Sequence, residues 1–406
     1  MTRKNNVITA IDVGTTKICV LIARAQEGKV DILGMGKSPS EGLAKGVVVD
    51  IGKTVASISA AVIEAEKMAG ISVEKACIGI AGSHIQSYNS HGVVPIKRGE
   101  VHDTDVSLAL ASAQTIAIAE GQQILHVLPQ YFVIDGGERI QNPVGMHGIR
   151  LEVQAHVITG SVTAAQNLVT CCERAGVEVT DIILEPLASA MAVLSQDEQQ
   201  FGVSVIDIGG GTTDVAIYQQ GAIRFTKVIP IAGNHFTNDL AIGLRITCSD
   251  AERIKKEYGG VRCWREKETL IEGEMVQGKD CQLFAREDIV NIIRPRAQEL
   301  CMLVKQEFDD NKLYSLMTTG IVLTGGGSLL QGMRELAEDI FSVSVRIGYP
   351  RVVFDLPLSL QHPMYATGYG MLMYMMQKRD HAPHLYNGKI VRTLFDRMKM
   401  WVTDFF

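Results

Sequence analysis

Two segments of this chain repeat one another. Ile11-Asp12-Val13-Gly14-Thr15-Thr16-Lys17 returns as Ile206-Asp207-Ile208-Gly209-Gly210-Gly211-Thr212-Thr213-Asp214. Each is an apolar run that ends in Asp, crosses a Gly/Thr turn and enters a second apolar run. That pattern predicts a β-hairpin in each place. Glycine lets a backbone approach a ligand closely and turn its N–H groups inward, towards phosphate oxygens. Thr15, Thr16, Thr212 and Thr213 add hydroxyl donors. An Asp at a strand end suits a hydrated Mg²⁺, which keeps most of its waters and needs few carboxylates. One D-x-G-T-T alone reads most simply as an ordinary hairpin. Two in matching context point to facing loops that clamp the phosphate tail of one nucleotide. Gly14, Gly209, Gly210 and Gly211 would give the backbone seats, and Asp12 and Asp207 would organise the ion through water. Lys17 could reach a β- or γ-phosphate, or could be a solvated turn lysine.

A third glycine motif strengthens this reading. Ile321-Val322-Leu323-Thr324-Gly325-Gly326-Gly327-Ser328 is an apolar strand followed by a glycine turn, and Leu329 to Leu336 has helical spacing. A strand, a Gly325–Gly327 turn and a helix N-terminus form a nucleotide seat. The motif is neither a Rossmann nor a Walker fingerprint.

At 406 residues the chain should hold more than one domain and can bury a large core without staples. The net charge of −6 argues against a general nucleic-acid binder. Eight cysteines without a CxxC pair read as reduced, mostly buried thiols of a cytosolic protein. The polar start runs straight into a strand, which leaves no room for a signal peptide. The longest uncharged stretch, 153–172, is too polar to span a bilayer. The histidines show no metal-ligand spacing, and no Ser–His–Asp motif stands out.

Residues 7–36 alternate strand and turn, 53–69 read as a helix, and 75–81 as a buried strand. From about 83 to 162 the texture changes to a compact α+β insertion. It holds a hairpin-like Gly92–Ile96, a helix over 103–120, and strands near 125–134 and 151–158. A helix follows over 163–175, stopped by Gly176. A charged, irregular tract covers about 249–290, with further helices expected at 250–258, 286–309 and 365–377. Strand–helix alternation in each half, opened by similar hairpins, suggests a duplication: two α/β lobes with a nucleotide cleft between them.

This set resembles the actin, heat-shock-70 and sugar-kinase ATPase superfamily. Asp12–Lys17 and Asp207–Asp214 match its phosphate motifs, Thr324–Gly327 its adenosine motif, and Glu185–Ala190 and Tyr365–Gly370 its connecting helices. Within it, the chain is similar to the FtsA family of bacterial cell-division proteins. Val205–Asp214, Phe225–Pro230, Gly233–Leu240, Gly320–Gly327, Asn142–Gly145 and Val345–Gly348 carry that resemblance, which runs over essentially the whole chain. It implies an α/β, two-lobed actin-like ATPase fold with an inserted α+β subdomain in the first lobe and a C-terminal amphipathic helix. The expected divisions are 1–82 and 163–195 for the first lobe core, with 83–162 inserted. The second lobe core takes 196–230 and 319–358, and its small subdomain 231–318. The rest divides into 359–376 for a closing helix, 377–389 for a linker and 390–406 for the terminal helix.

The resemblance also implies residue roles. Glu185 heads the first connecting helix, where related ATPases place a side chain that orients the attacking water; a Glu stabilised by the helix dipole fits as well. Gly233 falls in the matched segment 233–240. Glu252 and Lys255 lie on the helix expected against adenine and ribose, and their spacing also suits a surface ion pair. The implied cofactors are ATP and Mg²⁺, with at most slow hydrolysis. The implied partners are the C-terminal tail of FtsZ, the chain itself in filaments, anionic lipid of the cytoplasmic membrane, and later division proteins. Arg294 and Arg296 are candidate FtsZ contacts, with a solvated helix face as the plain alternative.

The last residues carry separate chemistry. Val391, Leu394, Phe395, Met398, Trp401, Val402 and Phe405 fall on one helical stripe. The segment is too short and too charged to span a bilayer but suits lying in the headgroup plane. The polar stretch before it would reach about 20 Å as a flexible tether. A helix docked on the protein body, or seated in a partner's groove, would show the same stripe. The expected location is the cytoplasmic face of the membrane at the division site. The competing function is a small-molecule kinase of the same superfamily, which would need a catalytic Asp and a sugar pocket. A chaperone would need a large peptide-binding domain after the ATPase.

Overall fold

A computed structural model describes residues 6–26, 29–262, 270–276, 281–351 and 356–380. The sequence duplication is a duplication of sheets. In the first lobe, the hairpin Val7–Val13/Lys17–Gln26 is extended on one side by Lys29–Pro39, antiparallel. On its other side lie Lys75–Ile80 and Glu178–Leu184, parallel. In the second, the hairpin Val203–Ile208/Thr213–Gln219 is extended by antiparallel Ala222–Ile229. Ile321–Thr324 and Val345–Ile347 follow on the other side, parallel. Both five-stranded sheets therefore share one strand order. Val203–Ile208 is buried at every position, and its apolar residues therefore fall on both faces, with Ser204 and Asp207 as its two polar members.

Two helices join the lobes: Glu185–Val193 and Ala366–Asp380. They approach at a small-residue contact, where a Cβ on Gly370 would lie 1.8 Å from the Ala188 carbonyl oxygen. The second runs to Asp380, so the first residues of the expected linker are helical.

The insertion leaves the first lobe after Lys75–Ile80. That strand corresponds to Ile321–Thr324 in the second sheet order, so the subdomain occupies the place of the 325–327 glycine turn. It is a three-stranded antiparallel sheet of Gln86–Pro95, Arg150–Ser161 and Gln122–Ile134, with the helix Asp103–Ala113 laid over it. Ile96, Val101, Val106, Phe132, Leu151 and Val153 form its own core.

Three local expectations need correction. Gly92–Ile96 is no hairpin but the end of a long strand. Gly92 is needed there because a Cβ would lie 2.3 Å from the Ala109 carbonyl of the covering helix. The 103–120 helix stops at Ala113, where a run with β-branched Thr115, Ile116 and Ile118 begins and no longer faces the sheet. The tract at 249–290 contains the helix Cys248–Tyr258 and a hairpin, Leu270–Glu274 with Cys281–Ala285, whose Ile271 and Phe284 turn into the second-lobe core. The helices at 53–69 and 163–175 appear as Ile51–Ala69 and Val162–Arg174, capped by Asp50 and Ser161.

Candidate nucleotide site between the lobes

The two hairpin turns are built alike. The Gly14 N–H donates to the Lys17 carbonyl (3.1 Å), and the Gly209 N–H donates to the Thr212 carbonyl (3.0 Å). They face each other across the cleft. A Cβ on Gly210 would lie 2.3 Å from Thr16 Cγ2, and one on Gly211 would lie 2.3 Å from Thr15 Oγ1. Only bare backbone fits on the second-lobe side. Thr15 also accepts from the Gly46 N–H at 3.1 Å, which fixes the first turn. Thr213 is fully buried and donates to the Ile231 carbonyl at 2.7 Å, so it shapes the hairpin and does not offer its hydroxyl to the cleft.

Acids ring the turns. Asp12 and Asp207 end their strands as expected, and both are buried. Asp214 is the cross-strand partner of Asp207. Its Oδ2 accepts from Thr212 Oγ1 at 3.1 Å, while its Oδ1 is buried without a partner. Burial, then the neighbouring Asp207, push the Asp214 carboxyl well above the usual range. Burial, then Asp12, Asp214 and Asp207 in turn, do the same to Glu185. Lys17 is the cation among them, 3.1 Å from Asp12 Oδ2 and 5.4 Å above the Tyr365 ring. Four carboxylates facing one lysine form a strongly cation-seeking set. Among the described residues no three His, Cys, Asp or Glu side chains could ligate a metal together.

The other expected residues gather on the second-lobe side. The Gly233 N–H donates to the Gly209 carbonyl (3.0 Å) and the Asn234 N–H to the Gly210 carbonyl (2.8 Å), tying the helix Gly233–Leu244 to the turn. Lys255 Nζ reaches the Gly233 carbonyl at 3.1 Å, Thr237 Oγ1 at 2.9 Å and Glu252 Oε2 at 2.6 Å. Glu252 and Lys255 thus form an ion pair, and it sits beside the helix start that is tied to the Gly209–Thr212 turn. Gly325 has φ +80°, and a Cβ there would strike Asp207 Oδ1, 2.2 Å away. Gly327 packs on Ile208, and a Cβ on Gly326 would meet nothing within 4 Å. The segment Gly326–Leu329 is a 3-10 turn, and the α-helix begins only at Met333, after Gly332.

The family model for cell division protein FtsA matches residues 204–370, and the model for the SHS2 domain inserted in FtsA matches 82–159. Cell division protein FtsA of Pseudomonas aeruginosa is 43% identical over 98% of both chains. That of Neisseria meningitidis is 40% identical over 100% of both, and that of Escherichia coli K12 36% over 90% of both. The chain belongs to the FtsA family. The fold is actin-like. A chain of the PilM–PilN type IV pilus biogenesis complex superposes with a TM-score of 0.66 at 16% identity, covering 91% of this chain and 98% of that one. MreB5 of Spiroplasma citri bound to ADP superposes with 0.56 at 16% identity, covering 93% and 99%. This FtsA-family membership groups the chain with cell-division proteins, not with small-molecule kinases of the same fold.

Three contributors to the site were not singled out from the FtsA-like sequence: Asp214, Ser189 and Thr367. Asp214 was legible in principle, since it lies opposite Asp207 in the hairpin register. The two hydroxyls lie within the segments matched to the connecting helices, 185–190 and 365–370, but nothing in those segments marks them as partners of one carboxylate. Arg294 and Arg296 lie on the helix Arg286–Asp310. Arg294 is exposed. Arg296 is engaged by Asp239, at 2.7 Å and 3.1 Å, and by Glu299 at 2.5 Å. Leu394, Phe395, Met398, Trp401, Val402 and Phe405 lie outside the described residues. Among the described residues no helix is long and apolar enough to cross a membrane.

Proposed function

We propose that this FtsA-family protein holds ATP with Mg²⁺ between its lobes, assembles head to tail in that state, and tethers the FtsZ ring to the membrane through its last residues. The observation that carries the nucleotide reading is the pair of matched turns, Thr15–Thr16 against Gly210–Gly211, ringed by acids. The residues fit the cofactor. At Gly210 and Gly211 only bare backbone fits against Thr16 and Thr15, which keeps the N–H groups of the two turns close together, and Asp214 Oδ1 is a buried acceptor without a donor. Backbone N–H groups of both turns would hold the phosphates, and Asp12 and Asp207 would hold the ion through its waters. Gly325–Gly327 and the Glu252–Lys255 pair would take the nucleoside side. Bound Mg²⁺ supplies the positive charge that this acid ring lacks.

Glu185 would orient a water. Burial, then Asp12, Asp214 and Asp207, push its carboxyl well above the usual range, so its ionised form is disfavoured until a cation joins the acids.

The remaining parts rest on family membership and on the residues themselves. Head-to-tail stacking of like subunits is a heterologous contact that propagates into filaments. The stripe of 390–406, with Lys389, Arg392, Arg397 and Lys399, suits anionic lipid at the cytoplasmic face. The acidic FtsZ tail would meet the small subdomain of the second lobe, where Arg294 is exposed and Arg296 is held by its own acids. Later division proteins would join the assembled form.

Calorimetric titration of the full chain with ATP tests the nucleotide reading. Saturable binding that weakens when Mg²⁺ is removed is expected. Absence of binding with Mg²⁺ present would end it.

A further inference from the structure

Asp207 sits where four elements meet, and its carboxylate is held by hydroxyls from both connecting helices. Ser189 Oγ, on Glu185–Val193, donates a short hydrogen bond to Asp207 Oδ2. Thr367 Oγ1, on Ala366–Asp380, donates to the same oxygen at 3.1 Å, and the two hydroxyls lie 3.0 Å apart. Ser189 is fully buried and Thr367 nearly so. The close approach of the two helices at Gly370 and Ala188 is what brings the hydroxyls together. On its other side Asp207 Oδ1 faces Gly325, where no side chain fits. Buried in this way, the carboxylate has a single fixed orientation.

The first turn of Ala366–Asp380 also addresses the first lobe. Tyr365, just before it, lies under Lys17. A Cβ on Gly368 would stand 3.7 Å from Asp12 Cβ and 3.3 Å from Leu21. One helical turn therefore touches the lysine and aspartate of one lobe and the aspartate of the other. These two helices join the lobes, so a change in the angle between the lobes would bend or slide them.

Resting on the nucleotide reading above, we propose that Ser189 and Thr367 are positioning residues. They fix Asp207 for the hydrated cation and tie its orientation to the connecting helices, so that the cation seat and the angle between the lobes change together. Hydrogen-bond partners behind a metal-binding carboxylate commonly change metal affinity by about 10–100-fold when removed.

The test uses the full chain with Ser189→Ala, Thr367→Val and Thr367→Ser. Two quantities are read: affinity for a fluorescent ATP analogue in EDTA, and the Mg²⁺ concentration that half-restores tight binding. Ser189→Ala and Thr367→Val should raise that Mg²⁺ midpoint by about 10-fold or more. Affinity in EDTA should stay near the parent's, and Thr367→Ser, which keeps the hydroxyl, should restore the parent midpoint. Parent-like midpoints in Ser189→Ala and Thr367→Val would overturn the proposal while leaving nucleotide binding standing. An equal loss in EDTA and in Mg²⁺ would also overturn it, since that is the mark of a purely structural role. A parent chain that binds no nucleotide would overturn the underlying reading itself. If Thr367→Val fails to fold, Ser189→Ala against Thr367→Ser still decides the matter, because both are small changes.

Discussion

His156 joins the inserted subdomain to the second lobe, and it does so as a neutral ring. It is 1% exposed. Its Nδ1 lies 2.8 Å from Asn89 Oδ1 and its Nε2 2.9 Å from Thr226 Oγ1. The acceptor at Asn89 assigns the proton to Nδ1, leaving Nε2 to accept from the threonine. Burial lowers its pKa from 6.5 to about 4. The unfolded chain therefore takes up this proton first as pH falls. The stability that His156 gives is fully present above about pH 6.5 and is lost on going down towards pH 4. Between pH 7 and pH 5 the parent should lose on the order of 2 kcal/mol more than His156→Gln, read by urea unfolding. Equal losses would contradict a neutral buried His156. Asp214 gives the opposite kind of test. A carboxylate raised by burial and by Asp207 destabilises the cation-free fold when ionised. Asp214→Asn should raise the melting temperature in EDTA and shrink the further rise that Mg²⁺ with ATP produces. A lower melting temperature in EDTA would contradict the crowded-acid picture.

At the scale of elements, the insertion is fastened across the molecule. Ser87 Oγ donates to the Thr226 carbonyl (3.0 Å), Asn89 Nδ2 to that of Arg224 (3.2 Å), and Gln130 Nε2 to that of Ile223 (2.9 Å). These carbonyls belong to Ala222–Ile229, the edge strand of the second sheet, so side chains of a first-lobe insertion cover a second-lobe edge. Nothing in the sequence announces this contact, because its members are lone polar residues scattered over three strands. The hairpins, by contrast, were legible, because a glycine turn between two β-rich runs is decided within a dozen residues. Boundaries failed where tertiary packing decides them, as at Ala113 and in the hairpin 270–285. The helix crossing yields its own prediction. At Gly370 an added Cβ meets the Ala188 backbone, which cannot step aside as a side chain can. Gly370→Ala should destabilise the fold by about 1–3 kcal/mol in chemical unfolding. An unchanged midpoint would mean that the helices are not in close contact.

For the whole molecule, the two sheets of identical order explain why one motif occurs twice and why the cleft lies between its copies. The shared order, the insertion at 83–162 and the two connecting segments were expected from the sequence, but the insertion's contact with the second-lobe edge and the meeting of Ser189 and Thr367 on Asp207 required the fold. The membrane attachment proposed for residues 390–406 is tested separately. Trp401→Glu should leave ATP binding intact and move the protein from the pellet of anionic liposomes to the supernatant. Losing one large buried ring weakens such binding by on the order of 1.5–3 kcal/mol. If Trp401→Glu and deletion of 390–406 both still sediment with liposomes, the terminal segment is not the anchor. The facing turns are proposed to clamp the phosphates of one nucleotide. Calorimetry of ATP with Mg²⁺ on Gly210→Val tests this most directly, with Gly52→Ala, a helix position outside the cleft, as the control. The valine must push Thr16 away and hold the two turns apart. Affinity should fall at least about 10-fold, some 1.4 kcal/mol, while Gly52→Ala binds as the parent does. A folded Gly210→Val that binds ATP with the parent's affinity would contradict the account.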